Sequence, residues 1–585
     1  MESSENLMLA NKASSMKMLM WTFIILAGFS AYLSFILGQQ RGTIFYSGLI
    51  LIIPFGVLIL FFRKKMLMYR ALYHIKSGWG KETSRKRKYN DIKKLHEFLK
   101  LQQKEEFFID NQTWDDFTMD KVFEKLDSTL STPGEQMLYN ILRNPKFHHE
   151  ILENRKGILK LFENNKVLRE KMQTELYWLS RQSRNTITEF LWGKLPPKSN
   201  ITILFNFMAL LPIIILALMP FYGLRLGVYI VFIFIANMII HGKFRSQINQ
   251  HVDSMTYLGA VVNTAKKLGE VNEPSLERFI KIFKNDTKHI KASRNAGLVG
   301  AVEGLDVLAD YVNIMFLSKE RKFYAVLDEL IKHKEELQRV YLAVGEVDAL
   351  IAIASYRAGL EAYVEPDLRK EGRFIKAEAM LHPLIAEPIA NSITVENSGI
   401  VLTGSNMSGK STFLRTIGVN ALFAQTICTC LAESYSSSYF KLLSSISPSD
   451  DLLVGKSYYL GEAEAVLRII KSCEEDMPTL CVIDEIFRGT NPIERISASA
   501  EILDYLINHN CLPIVATHDL ELTEIVDEAY ECYYFTEDVD DAGLKFDYLI
   551  RKGVSPTRNA IRLLKYLGYP EEIINKTYER VEKLK

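Results

Sequence analysis

Gly404-Ser405-Asn406-Met407-Ser408-Gly409-Lys410-Ser411 stands between a short apolar run, Ile400–Thr403, and a stretch of helical character, Thr412–Ala424. The octet satisfies G-x-x-x-x-G-K-[ST], and a strand before it with a helix after it is the setting in which that spacing cradles phosphate. Glycine lets backbone N–H groups turn inward on an anion, and the start of the following helix adds its positive end. An ammonium at Lys410 reaches β- and γ-phosphates, while the hydroxyl of Ser411 can hold Mg²⁺. The expected nucleotide-binding set is therefore Gly404, Ser405, Asn406, Met407, Ser408, Gly409, Lys410, Ser411 and Thr412, with ATP and Mg²⁺ as the expected cofactors.

Two further segments belong with this loop. Thr479-Leu480-Cys481-Val482-Ile483 is an apolar strand that delivers Asp484 and Glu485. Adjacent acids at the end of a buried strand are costly unless they serve a metal or a reaction. Asp484 is expected at the metal with Ser411, and Glu485 at an attacking water. The strand Leu512–Ala516 ends in Thr517-His518-Asp519, where His518 either contacts the γ-phosphate or is a satisfied core histidine. The short interval from Lys410 to Asp484 leaves little room for the helical insertion of a transporter-type ATPase, and no L-S-G-G-Q occurs.

The chain is 585 residues long, enough for about three or four domains. Lysine plus arginine number 71 and aspartate plus glutamate 70, a balance that excludes a histone-like or tail-driven nucleic-acid binder and leaves only local basic patches for that role. Apolar residues at 48% and charged residues at 24% exclude wholesale disorder. A mean hydropathy of +0.01 is high for a soluble protein and points to apolar surface facing lipid. The cysteines (428, 430, 473, 481, 511 and 532) form no C-x-x-C pair and stand near no histidine cluster. Neither a disulfide framework nor a zinc site is indicated, and buried reduced thiols are expected.

Four apolar runs account for the hydropathy. Met18–Leu37 and Thr43–Phe62 carry no charge, and a second pair follows at Asn200–Met219 and 221–240, the last broken only by Arg225. As helices each spans about 30 Å, the thickness of a bilayer core. The links at 38–42 and 220–225 are short, so each pair reads as a hairpin. The outer ends offer only Arg41 and Arg225. The inner ends offer Lys12, Lys17, Arg63, Lys64, Lys65, Arg70, Lys194, Lys198, Lys243 and Arg245, which places the N-terminus, residues 63–199 and everything after 241 in the cytoplasm. The competing readings are a signal peptide for the first run, weak because a second span follows at once, and a buried core hairpin for the second pair.

Residues 63–113 are basic, with Arg85-Lys86-Arg87-Lys88 among them, and read as a helical connector near anionic headgroups. Residues 114–199 and 246–365 have helical periodicity. Within the latter, Arg278, Lys281, Lys284, Lys288 and Lys291 recur every three or four residues, a spacing that suits a DNA backbone or an ordinary solvated helix face. From about Glu371 short β-rich runs alternate with helices, which is α/β patterning with a mostly parallel sheet.

Together the motifs resemble those of the MutS family of DNA mismatch-repair ATPases. Thr403–Thr412 is similar to T-G-P-N-M-G-G-K-S-T, with Asn406-Met407 the distinctive pair. Asp484–Thr490 resembles D-E-I-G-R-G-T, Ala516–Leu522 resembles A-T-H-Y-F-E-L, and His382-Pro383 resembles the family's H-P. Ser457–Glu462 is similar to S-T-F-M-x-E, so the resemblance implies that Ser457 acts in the partner's nucleotide site and that the chain is a homodimer. On residues alone Ser457 serves equally as a helix cap. Phe123–Gly134 resembles the opening of the family's helical core, L-x-x-L-D-x-T-x-T-x-x-G. The resemblance covers about 115–199 and 246–585. It departs at residues 1–113, which hold two apolar runs and no Phe-x-Glu wedge. It departs again at the second hairpin, in a short lever region, and at Ser405, Ser408, Phe487 and Asn491-Pro492.

The implied architecture is an α/β P-loop ATPase of the ABC/MutS type, C-terminal to an all-α core and lever domain, with four transmembrane helices in two hairpins. Its expected segments are a tail (1–17), hairpin 1 (18–62), connector (63–113), core first part (114–199), hairpin 2 (200–241), core and lever second part (242–370) and ATPase domain (371–585). The apolar runs and their flanking charge imply a multi-pass protein of the bacterial inner membrane with a cytoplasmic ATPase domain. The resemblance implies that this domain hydrolyses ATP, with Glu485, His518 and Ser457 catalytic, and that the chain binds DNA in a mismatch-repair or DNA-structure-related role, with sequence-independent or structure-dependent binding favoured over mismatch reading because the wedge is absent. The alternative is a transport or remodelling motor, or a nucleotide-gated scaffold, without DNA.

Overall fold

The structure is a computed structural model that describes residues 2–182, 187–193, 201–288, 290, 306–405, 408–446, 458–487, 491–526, 528–540, 543–554, 564 and 568–584. Of the residues singled out above, Lys194, Lys198, Lys291, Asn406, Met407, Ser457 and Arg488-Gly489-Thr490 lie outside the described residues. The chain folds as two compact units, one of residues 1–94, 128–137 and 158–359, the other of 95–127, 138–157 and 360–585.

The first unit is helical. Among the described residues, four helical stretches are long and apolar enough to cross a membrane: Ser4–Arg41, Thr43–Gly78, Ile201–Tyr222 and Leu224–Phe244. Their apolar side chains point outward, Ile25, Phe29, Ile53, Val57, Phe207 and Phe232 among them, the reverse of a water-soluble helix face. The helix that carries the last stretch runs unbroken from Gly227 to Leu268, so the boundary expected near 241 falls inside one rod.

At the centre of this unit lies helix Lys334–Gly359, buried along Val340, Tyr341, Val344, Val347, Leu350, Ile351 and Ala354. Its Asp348 is wholly enclosed; it accepts from the Ser131 N–H (2.8 Å), the Ser131 hydroxyl (2.6 Å) and the Leu130 N–H (3.1 Å). Burial pushes this carboxyl up, and those donors oppose the shift. A Cβ on Gly134 would fall 2.1 Å from Asp348 Oδ2, and one on Gly345 would fall 2.5 Å from the Pro133 carbonyl oxygen. The Ser131–Gly134 segment is thus a close-approach motif in which small residues let two backbones meet over a buried acid.

The basic stripe is shorter than its spacing suggests. Its helix spans only Glu277–Asp286, so Arg278, Lys281 and Lys284 lie on it while Lys288 follows its end. Arg278 pairs with Glu346 (2.7 Å) and Lys281 with Glu277 (2.8 Å).

The second unit is α/β. Its strands are β1 (Asp367–Arg369), β2 (Phe374–Met380), β3 (Asn391–Glu396), β4 (Gly399–Thr403), β5 (Ser434–Ser438), β6 (Lys441–Ser445), β7 (Thr479–Asp484), β8 (Cys511–Ala516), β9 (Tyr530–Asp540) and β10 (Gly543–Lys552). They form a four-stranded sheet in the order β1-β5-β2-β3 and a six-stranded sheet in the order β10-β9-β4-β8-β7-β6. In the larger sheet only β9–β10 is antiparallel. Strands β4, β7 and β8 are buried at every residue, because helices cover both faces of a parallel sheet, which is why they read as continuous apolar runs rather than alternating ones. The smaller, polar sheet was not anticipated; its strand β5 is Ser-Tyr-Ser-Ser-Ser, which carries no apolar alternation.

Segment 95–127 belongs to this second unit. Phe117 fills the space left by Gly418 on helix Lys410–Thr426, where a Cβ would meet its ring at 2.2 Å. Asp116 accepts from the Ser444 hydroxyl (2.6 Å) and the Ile446 N–H (3.0 Å), and its carbonyl accepts from Arg415 Nε (2.8 Å). Contrary to the expectation of reduced thiols, Cys473 and Cys511 are joined as a disulfide; the residues converge because the helix Tyr458–Cys473 ends beside the start of β8.

Candidate functional site

Register sets the site. In the six-stranded sheet Leu402 of β4 pairs with Ala516 of β8, and Ala516 pairs with Asp484 of β7, so the three strands end side by side. Residues that follow these ends are delivered to one crevice, the place where open parallel sheets bind ligands.

After β4 the loop turns at Gly404 (φ 140°) and Gly409 (φ 106°), a region that side chains disfavour. At Gly404 the space is also closed, since a Cβ would lie 2.8 Å from Ser408 Oγ and 3.0 Å from the Phe535 carbonyl oxygen. Ser408 donates its hydroxyl back to the Ser405 carbonyl (2.8 Å), so the serine in place of the family's glycine stitches the loop together. Lys410 is almost wholly buried, and its ammonium donates to the carbonyls of Gly404 (2.6 Å) and Ser405 (3.0 Å). Ser411 donates to Asp484 Oδ2 at 2.5 Å. Thr412 follows one residue into the helix.

Glu485, directly after β7, has φ 65°, and its N–H donates to the Ala516 carbonyl (2.8 Å). Phe487 has φ 61°. Left-handed backbone at two non-glycine residues within three positions is strain of the sort that collects at functional sites. His518 Nε2 lies 3.0 Å from Glu485 Oε1 and 3.2 Å from Lys410 Nζ. Seven loop residues (Gly404, Ser405, Ser408, Gly409, Lys410, Ser411 and Thr412) thus share one site with Asp484, Glu485 and His518. Asn406, Met407 and Ser457 lie outside the described residues.

Sequence reading missed two features. Arg495, on helix Pro492–Asn508, forms a two-point ion pair with Asp519 (2.9 and 2.5 Å) next to His518, and that carboxylate pushes the guanidinium up. The departure from the family's A-T-H-Y at Asp519 was the available signal. The second is a cavity of about 200 Å³ against the loop, lined by His382, Ile385, Ile389, Thr412, Phe413 and Tyr548. His382 Nδ1 accepts from the Leu384 N–H (3.2 Å), so the neutral ring carries its proton on Nε2, a buried donor with no partner among the described residues. Burial holds this histidine down at about 4, with Arg415 and Lys125 adding to the effect.

Comparison with known proteins bears on the C-terminal part of the chain. Residues 400–585 match the model of MutS domain V. Over its C-terminal half, this chain is similar to proteins of the MutS family. It is 32% identical over 287 residues to the DNA mismatch repair protein MutS of Thermotoga petrophila, a match covering 47% of this chain and 35% of the relative. MutS of Thermus thermophilus is 27% identical over 262 residues, covering 44% and 32%. The DNA mismatch repair protein MSH3 of Vanderwaltozyma polyspora is 27% identical over 349 residues, covering 57% and 33%. The chain therefore spans about a third of the length of the curated MutS relatives it matches.

Proposed function

We propose that this MutS-family chain is a membrane-anchored P-loop ATPase. Support for the nucleotide reading comes from the convergence of Lys410, the Ser411–Asp484 pair and the Glu485–His518 pair where β4, β7 and β8 end. The donor set fits Mg²⁺, a hard cation that takes oxygen ligands, through Ser411 Oγ and Asp484. Bound there, the metal would neutralise phosphate charge. Lys410 would exchange its two carbonyl partners for phosphate oxygens, and the N–H groups of the loop would face the same anion. Glu485 would hold and orient a water, with His518 fixing the carboxylate and reaching the γ-phosphate. The adjoining cavity would take the base, and His382 Nε2 would donate to one of its ring nitrogens. Lys410→Ala is expected to remove nucleotide binding, and Glu485→Gln to keep binding while stopping hydrolysis.

The bacterial inner membrane is the proposed location, supported by four helices of sufficient length and apolarity. A homodimer with Ser457 acting across it, and DNA as a partner, follow from the family. The relatives named above are mismatch repair proteins, and a DNA-related role is the corresponding reading here. A motor without DNA is the second reading, favoured by the ion pairing of Arg278 and Lys281 within the helical unit. Binding of the full chain to homoduplex, mismatched and branched DNA at low and high salt separates the two. Absence of binding at low salt would reject the DNA reading.

A further inference from the structure

The second apolar hairpin is not an isolated anchor within the helical unit. Helix Asp306–Phe316 packs along both of its arms, and helix Ser318–Lys332 meets its inner end. On the arm Ile201–Tyr222 the buried residues are Phe205, Ala209 and Pro212, one face at spacings of four and three that reaches the middle of the apolar stretch. On the other arm Asn237 is fully buried, and its side-chain amide donates to the Met315 carbonyl (2.7 Å). One turn further along, Phe234 meets the Tyr311 ring at 6.1 Å.

These contacts fix a depth. Phe234 is the midpoint of the stretch Leu224–Phe244, about 15 Å from either end at 1.5 Å per residue. Asn237 is about 10 Å inside its inner end. If the hairpin spans the bilayer, the side chain touching Phe234 must itself lie within the hydrocarbon. Tyr311 and Val312 are nonetheless among the more exposed apolar residues of the chain, at 57% and 52%. Helix Asp306–Phe316 has 11 residues, roughly 16 Å, too short to cross a bilayer and of a length suited to a segment that enters without traversing.

The inner boundary is marked independently by a polar seam. His241 Nδ1 lies 2.7 Å from Glu320 Oε1, and Arg321 Nε donates to Asn206 Oδ1 at 2.7 Å. The Phe205 ring meets Phe244 edge-to-face (5.6 Å) and Tyr324 at a tilt (5.8 Å) at the same level. Between the two docking helices Leu317 is buried with φ 44°, so the chain breaks sharply where the seam begins. Polar groups at such a border are expensive unless they are paired with one another, as these are.

Resting on the membrane reading above, we propose that helix Asp306–Phe316 is embedded in the bilayer beside the second hairpin, with lipid acyl chains covering Tyr311 and Val312. It is a further membrane element, in a region whose sequence assigns it to the cytoplasmic lever. Because helices Ser318–Lys332 and Lys334–Gly359 follow it directly, the rod that carries Asp348 is then rooted in lipid by three helices rather than by a loop.

The test uses the full-length chain in phosphatidylcholine–phosphatidylglycerol vesicles, with the photo-crosslinker p-benzoyl-phenylalanine placed in turn at Tyr311, at Val231 on the outer face of the hairpin, and at Val167 on the helical unit (58% and 80% exposed for the two valines). Lipid adducts are read by mass spectrometry, with Val312 as the second site should the Tyr311 variant not fold. Adducts at Tyr311 or Val312 in yield comparable to Val231, and lost at Val167, are the expected result. Adducts at Val231 alone overturn the proposal while leaving the membrane reading intact. No lipid adduct at any position overturns both.

Discussion

The two units of the chain carry their information differently. In the α/β unit the residues that converge on the phosphate loop sit in short contiguous motifs, each placed by the end of one buried strand. In the helical unit the decisive contacts join residues far apart in sequence, such as Asp348 with Ser131 and Asn237 with Met315, and no local pattern announces them. One unit gathers its motif residues where its strands end, and the other is held by contacts among its helices.

The sharpest break of this contrast is expected at Glu485. Glu485→Gln should lower the turnover of ATP by about 10²–10⁴-fold, the range for a positioned general base, while nucleotide affinity stays within a few-fold. Steady-state phosphate release set against equilibrium binding measures it, and an equal loss of both would place Glu485 in binding instead.

In the helical unit the corresponding test is Asp348→Ala. It strips acceptors from the N–H groups of Leu130 and Ser131 in a closed site, at about 1–3 kcal/mol for each stranded group. Urea denaturation of the full chain should show a lowered midpoint for the helical signal, with Mg-ATP affinity in the folded state unchanged. A full effect on affinity with no change in midpoint would assign Asp348 to the nucleotide site.

The pH response should belong to the α/β unit. His96 is buried there, its pKa held at about 4 chiefly by burial. An unfolded histidine titrates near 6.5, so the unfolded chain takes up the proton first. Stability is complete above pH 6.5 and is lost as the pH falls from 6.5 towards 4, by up to about 3 kcal/mol for this one group. His96→Gln should flatten that acid slope in denaturation midpoints taken between pH 7 and 4.5; an unchanged slope would exclude His96 as its source.

The smallest effect is expected at Asp519, whose partly screened pair with Arg495 is worth about 1 kcal/mol or less. Asp519→Asn should leave nucleotide affinity in place and reduce turnover several-fold by loosening His518. Recovery in Asp519→Glu would separate positioning from mere stability.

Legibility in the sequence followed the same division. Strand ends β4, β7 and β8 were readable because each is a short apolar run followed at once by its functional residue, and because parallel strands show no alternation. The apolar hairpins were readable by length. The smaller sheet was not, since β5 is nearly all serine and gains its place from pairing with β1 and β2. The five-cation stripe read as one helix face, yet the helix stops at Asp286, before Lys288. The role of Gly134 was carried as a family motif, but its cause, an acid more than two hundred residues away, lies in packing alone. Likewise no periodicity separates a lever helix from Asp306–Phe316, whose surroundings are set by the hairpin it meets.

The most direct test is calorimetric titration of Mg-ATP into the purified full-length chain in detergent, alongside Lys410→Ala. The account predicts one saturable site per chain, lost in Lys410→Ala. No heat of binding to the unaltered chain, or binding undiminished by Lys410→Ala, would contradict it.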